Sequence, residues 1–353
     1  PDYFDEIGVF LGASYFRAVA KNLNYGLSAR GLSLNTADPK GEEFPNFRSF
    51  WVERPAKGAS SLVVHALLDS ESAAAAFRFT IRPGETTIYD IEATLFPRVQ
   101  IEQIGLASLT SMYFFGANDR GGVDDFRPEV HDSDGLAIQN GQGEQIWRPL
   151  NNPADLQVSA FIDNNPRGFG LMQRQRDFRG YQDLEARYER RPSAFVEPIG
   201  DWGEGAVYLV EIPTTTEIND NIVSFWRPRT ATRTKGEYSY TYRIHWGIHI
   251  PKPLPLAQVV GTRIGAGGDE TRRIVIDFAG ENLKSVPPAD TKATVTSDKG
   301  KVSNVVTHPN PEIGGTRVSF QLAPGGEKAV ELRAQLLRGD DPLSEVWMNR
   351  WTP

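Results

Sequence analysis

The sequence has no cysteine and only 3 methionines in 353 residues. The first absence excludes disulfides, thiolate metal sites and cysteine nucleophiles, and leaves the compartment open. No run of apolar residues approaches the ~20 needed to cross a bilayer as a helix. No secretory signal begins the chain, which opens at Pro1-Asp2-Tyr3-Phe4. A basic surplus is also missing. With 38 Lys and Arg against 45 Asp and Glu, the net charge is -7, and no basic stripe is present to hold a nucleic acid. There is no Gly-x-Ser-x-Gly elbow for a serine nucleophile and no Gly-x-x-x-x-Gly-Lys-Ser/Thr phosphate loop. The glycine-rich Gly265-Ala266-Gly267-Gly268 is followed by Asp269-Glu270, whose charges would repel phosphate, so it reads as a turn.

What is present is 33 Gly, 24 Pro and 10% aromatic residues, a composition suited to many short strands joined by turns. Alternating or β-branched segments recur at 61–68, 76–82, 86–95, 206–210, 222–226 and 238–246. Turn residues such as Arg82-Pro83-Gly84-Glu85 separate them, the pattern of an antiparallel meander. Helical patterning is scarce; 183–188 is the best candidate, for a turn or two. Pro251-Lys252-Pro253-Leu254-Pro255 places three prolines in five residues, which disfavours a sheet interior and marks a boundary. Strands are expected again at 273–278, 293–296, 316–322 and 329–334. A segment of about 95 residues with this strand density is the size of an immunoglobulin-like sandwich. The expected architecture is therefore all-β, with a large antiparallel β-sandwich over 1–252 and a small immunoglobulin-like β-sandwich over 258–353.

The longest strand-poor stretch, 115–153, carries Arg127, Glu129, His131, Asp132, Asp134, Trp147 and Arg148, more ionisable and aromatic groups than a linker needs. His131-Asp132 lacks further ligands at metal-site spacing, and His245 and His249 sit in a strand-like segment, so no metal is expected. What remains for catalysis is carboxylate chemistry. Paired acids, one protonated and one ionised, are the usual apparatus for cleaving a glycosidic bond. Candidates are Asp132, Asp134, Asp183, Glu217 and Asp220. Trp147, Tyr188, Trp202 and Trp226 offer flat apolar faces for sugar rings, and Arg127, Arg148 and Arg187 offer hydroxyl donors. The plainer reading makes the tryptophans core, pairs the arginines with nearby acids, and leaves the polar loop before Ile222 a solvated hairpin turn.

Long segments carry a resemblance. LGASYFRAV at 11–19, YGLSARGL at 25–32, EEFPNFRSFWVERP at 42–55, RPEVHDSDGL at 127–136, IWRPLNNP at 146–153, RGFGLMQR at 167–174, RDFRGYQDLEARYERRPSAFVEP at 176–198, GDWGEGAVYLVEIPT at 200–214 and NDNIVSFW at 219–226 are similar to the periplasmic glucan biosynthesis family, the OpgG/OpgD (MdoG) proteins. The resemblance implies a galactose-mutarotase-like first sandwich, a periplasmic location and a β-1,2-linked glucan as ligand. It also implies an inverting endo-β-1,2-glucanase activity. Asp220 of the NDN motif would then be the general acid, and Asp132 of RPEVHD the general base, acting through water and a substrate hydroxyl. Asp183, Tyr188 and Glu217 fall in matching motifs as cleft residues; His131, Trp147 and Arg148 are expected at the glucan-binding wall. Family chains carry a signal peptide and further residues ahead of the segment matching Leu11, so an N-terminal portion is expected to be missing here. Expected partners are the glucan, a second copy of the chain and membrane-bound glucan synthesis machinery, with no nucleic acid and no cofactor. The alternative is a non-catalytic glucan-binding or assembly protein. An epimerase-like activity would rest on the sandwich alone, and fold does not carry function.

Overall fold

The structure, a computed structural model, describes residues 6–268 and 270–353. It is all-β, and its helical elements are 3-10 turns, the longest being Glu281–Ser285. No helix among the described residues is long and apolar enough to cross a membrane. Two sheets form the main sandwich. One has eight strands in the order Gly8–Phe10, Tyr15–Ala18, Ser28–Arg30, Ile104–Ser111, Ile222–Pro228, Glu204–Glu211 and Gln157–Asn164, with Ser33–Leu34 paired onto Ile104–Ser111. The other has 13 strands and includes the meander Asn46–Val52, Leu62–Asp69, Ala73–Arg82, Thr87–Pro97 and Tyr238–Gly247.

The meander forms as its period-two pattern requires. In Ala73–Arg82 the residues Ala73, Ala75, Phe77, Phe79 and Ile81 are buried while Arg78, Thr80 and Arg82 face outward. The register sets Arg78 opposite Glu92, where they pair at 2.7 Å, and Arg243 reaches Asp90 at 2.5 Å. The inward faces of both sheets build one large apolar cluster that includes Phe16, Phe79, Tyr89, Leu109, Trp226 and Trp246.

The stretch 115–153, expected to be strand-poor, holds strands at Val130–His131, Gly135–Gln139 and Gln145–Pro149. The last two pair with each other inside the 13-stranded sheet, and Gly135–Gln139 also pairs with Gly168–Met172. All three strands of this group are buried almost end to end, because both faces are covered. Leu136, Ile138 and Ile146 point into the main cluster, while Ala137, Trp147 and Met172 point into a second cluster built mostly from residues 250–351. With no solvent face there is no alternation to read. Gly135 lies against Trp147, whose ring atom would stand 2.2 Å from a Cβ at that position, so only glycine fits beneath the indole.

Beyond the proline run, Gln258–Ala266, Arg272–Ala279, Gly315–Ala323 and Lys301–Asn310 form a four-stranded sheet facing Lys292–Ser297, Val330–Arg338 and Val346–Trp351 across the second cluster. The latter sheet is continuous with the main sandwich, since Val346–Trp351 pairs in parallel with Gln145–Pro149. The glycine-rich turn closes with the Gly267 N–H donating to Thr271 O at 2.8 Å; Asp269 lies outside the described residues, as does the opening Pro1-Asp2-Tyr3-Phe4. Of the one or two helical turns expected at 183–188, a single turn forms, with the Arg187 N–H donating to Asp183 O at 3.3 Å, and a 3-10 turn follows at Tyr188–Arg190. The Asp183 carboxylate accepts from the backbone N–H groups of Glu185 and Ala186, at 3.0 and 2.7 Å, and Arg187 takes a left-handed φ of 47°. The carboxylate thus caps the start of the turn, and the left-handed Arg187 ends it before a second one can follow.

Candidate active site

Asp220 lies in the loop 212–221, which joins the paired strands Glu204–Glu211 and Ile222–Pro228. The loop is pinned by its neighbour in the NDN motif. Asn221 is 2% exposed; its Oδ1 accepts from Tyr113 N at 2.8 Å, and its Nδ2 donates to Tyr113 O at 2.9 Å and Ile212 O at 3.0 Å. Asn221→Ala leaves those backbone groups unpaired and is expected to cost about 1–3 kcal/mol, read as a lower urea midpoint. A midpoint equal to the parent's would remove this role.

The Asp220 side chain is 35% exposed and stands 3.8 Å from Arg17, which is itself held by Ser28 at 2.6 Å. Partial burial raises the Asp220 pKa above the ordinary aspartate value; the charge of Asp132 raises it further, and Arg17 and Arg191 oppose the rise. The neighbouring carboxylate acting on Asp220 is thus Asp132. Glu217, three residues away in sequence, turns instead to Arg127 at 2.7 Å.

Asp132 is 4% exposed and is placed by backbone pairing next to the strand Val130–His131, its N–H donating to Met112 O at 2.8 Å. Its carboxylate accepts from Arg191 Nη1. Arg191 also lies over the Tyr188 ring, 4.4 Å from its centroid, and donates from Nε to Ala186 O at 3.2 Å. Tyr188 is 2% exposed, and burial raises its hydroxyl pKa; Glu217 and Asp132 add to the rise while Arg191 and Arg127 resist it. Tyr188 therefore stands between the Asp132–Arg191 pair and a second ionic group centred on Arg127. That guanidinium binds Asp125 at 2.8 Å, Asp183 at 2.9 Å and Glu217 at 2.7 Å. Burial works to raise the Asp183 pKa, but the N–H donors of Ala186 and Glu185 and the Arg127 guanidinium bring it below the usual value.

The structure draws Asp132, Tyr188, Glu217 and Asp220 into one neighbourhood, with Asp183 behind Arg127. It does not bring His131, Trp147 or Arg148 to a wall that a glucan can touch. His131 is fully buried, stacked on Tyr113, with its ring nitrogens at 2.9 Å from both Glu129 Oε2 and Gln173 Oε1. The Gln173 amide nitrogen donates to the backbone oxygens of His131 and Tyr188, so its oxygen faces the imidazole as an acceptor. Two acceptors require two ring N–H groups. Burial alone would lower the His131 pKa, but Glu129, Asp134 and Gln173 raise it overall, giving a structural imidazolium. Asp134 is buried as well, accepting from the N–H groups of Arg174 and Gln175 at 2.9 Å. Trp147 is 4% exposed under the Arg174 guanidinium, 3.6 Å from the ring centroid, and Arg148 is 1% exposed against Glu211 at 3.3 Å. Arg187 spends its Nε on Glu189 at 2.6 Å. The arginines expected to bind hydroxyls thus pair with acids, as desolvated guanidinium groups require.

Arg17 and Arg191 were not singled out by the sequence. Both lie within the words that carry the family resemblance, but nothing in the run Arg187-Tyr188-Glu189-Arg190-Arg191 says which guanidinium meets which acid. No three His, Asp or Glu side chains among the described residues gather as a metal site.

A family model described as "Periplasmic glucan biosynthesis protein, MdoG" matches residues 1–351. The chain is 59% identical over 353 residues to Glucans biosynthesis protein G of Bradyrhizobium diazoefficiens, a match covering all of this chain and 70% of that relative. It is 60% identical over 352 residues to the protein of that name from Rhodopseudomonas palustris, again across 70% of the relative. Against Glucans biosynthesis protein G of Vibrio cholerae the identity is 53% over 357 residues, covering all of this chain and 65% of the relative. The chain belongs to the periplasmic glucan biosynthesis family, MdoG.

Proposed function

We propose that this chain is a periplasmic endo-β-1,2-glucanase acting with inversion in the formation of osmoregulated glucans. Asp220 is the general acid, and Asp132 is the general base, working through water and a substrate hydroxyl. The observation that carries this reading is the contrast between two carboxylates close enough for their charges to interact: Asp220 is accessible and has a raised pKa, while Asp132 is buried with Arg191 as its ion-pair partner. Pairs of acids in unlike surroundings are the usual basis for dividing acid and base roles. Tyr188 and Glu217 border the same space and would position the sugar or take part in the relay.

The direct test is product analysis with linear β-1,2-glucan, with β-1,3- and β-1,4-glucans as controls. Shorter β-1,2-linked products of inverted anomeric configuration are expected. Cleavage of the controls alone would overturn the linkage, and saturable binding without product would favour a glucan-binding or assembly role. The pH profile gives a second check. A general acid must hold its proton, so activity is lost as pH rises through the Asp220 pKa, and the raised value extends the active range upward. Arg17 lowers that pKa, so Arg17→Ala is expected to move the basic limb of kcat/KM to higher pH. A basic limb that stays in place, or moves down, would exclude Asp220 as the group it reports.

A further inference from the structure

The hairpin that presents Asp220 at one end borders a separate cavity at the other, next to Glu204 and Pro228. The strand Ile222–Pro228 between them has 7 residues, which at ~3.3 Å per residue separates the two ends by about 20 Å. The cavity measures about 710 Å³, within the range of ~300–1,000 Å³ typical of small-molecule sites. Trp202, Trp226, Tyr238 and Tyr240 contribute to its lining. Trp202 is half-buried, 6.4 Å from the Trp226 ring and 6.0 Å from Tyr242, so its indole is fixed by packing on other aromatics.

The walls are preformed. Asn165 Oδ1 accepts from the N–H groups of Trp202 and Gly203, both at 2.8 Å, which holds one side. On the other side, Thr232 and Ile101 exchange backbone hydrogen bonds at 3.1 and 3.2 Å, and Tyr238 Oη accepts from Arg233 N at 2.7 Å. Trp226 Nε1 and Tyr240 Oη are buried behind these walls and find no hydrogen-bond partner among the described residues.

The charges define the ligand. Asp201 and Glu204 are matched by Arg229 and Arg233, and Glu204 is already paired with Arg229 at 2.6 Å. A balanced rim gives no net attraction to an anion or a cation. Aromatic side chains in the lining and no net charge together suit a neutral polyhydroxylated molecule. We propose that this cavity is a second carbohydrate site, which takes a stretch of neutral glucan about 20 Å from the Asp132–Asp220 centre and holds the chain without reacting with it. The site stands apart from the hydrolase reading, because its ligand class follows from its own walls.

The test is calorimetry of neutral gluco-oligosaccharides with β-1,2, β-1,3 and β-1,4 linkages, using the Asp220→Asn chain so that nothing is cleaved. A uronic acid oligosaccharide serves as the charged control. Two binding sites are expected for at least one neutral oligosaccharide, and Trp202→Ala should weaken one of them at least tenfold. Since Trp202→Ala could disturb folding, Ala231→Trp is the second variant. Ala231 lines the cavity and is only half-buried, so the added indole fills the space without removing packing, and it should leave one site. Neutral-oligosaccharide binding that neither variant alters, no binding in the parent, or equal binding of the charged oligosaccharide at this position would overturn the proposal; a single site that both variants remove would leave it standing and count against binding at the Asp132–Asp220 centre. Hydrolysis by the wild-type chain is measured separately, so absence of cleavage together with two-site binding would count against the enzyme reading alone.

Discussion

Asp220→Asn is expected to reduce release of reducing ends from linear β-1,2-glucan by ~10²–10⁴-fold, the usual contribution of a general acid. The substitution preserves the size and shape of the side chain but removes its ionisable proton. Nothing in the fold depends on that proton: Asp220 is 35% exposed, and its nearest cation, Arg17, stands at 3.8 Å and has Ser28 as a closer partner. Glucan affinity and the melting temperature should therefore stay near the parent's, so that the loss falls on kcat. Undiminished turnover in the folded variant would remove the acid assignment. An equal loss in kcat and in glucan affinity would instead mark Asp220 as a binding group.

The largest effect on stability is expected at Glu345, a residue that no sequence pattern draws out. Its carboxylate is fully buried where the second apolar cluster meets the main sandwich. Oε1 accepts from Arg174 Nη1 at 2.5 Å and Val259 N at 2.8 Å, while Oε2 accepts from Arg174 Nη2 at 3.0 Å and Gln145 Nε2 at 2.8 Å. The group is thus bidentate to arginine and joins segments that lie far apart in the chain. Truncation to alanine leaves the Arg174 charge without its partner, and breaking a buried pair in this way costs about 3–5 kcal/mol. Glu345→Ala should show a correspondingly lower denaturation midpoint. A loss below about 1 kcal/mol, the level of a surface ion pair, would mean that water replaces the carboxylate and that the contact does not join the two clusters.

The difference between strands that could be read and those that could not has a specific cause. Ala73–Arg82 and Thr87–Pro97 have one wet face, so their apolar residues alternate with charged ones and the sequence shows the strands directly. Gly135–Gln139, Gln145–Pro149 and Gly168–Met172 are covered on both faces, and glycine, arginine and glutamine sit among their buried residues. Their polar residues look like loop chemistry until the partners appear, as with Arg148 against Glu211. The same cause misplaced Trp147 and His131: aromatic and ionisable groups in a strand-poor segment resemble a binding wall, whereas here they are packing and a buried imidazolium.

The sequence by itself determined the all-β class and most strands, since these depend on a local two-residue period, and its long motifs carried the family and the choice of Asp132 and Asp220. Only the tertiary structure decided the surroundings of those acids. Residues 17, 132, 191 and 220 come from distant parts of the chain, and the ionisation of Asp220 responds to burial and to the charges that the fold gathers around it, with Arg17 at 3.8 Å. Spacing along the chain does not encode such distances. For the same reason the sequence showed that Glu217 and Asp220 are close neighbours in one loop, but only the fold turned Glu217 to Arg127 and set Asp132 against Asp220.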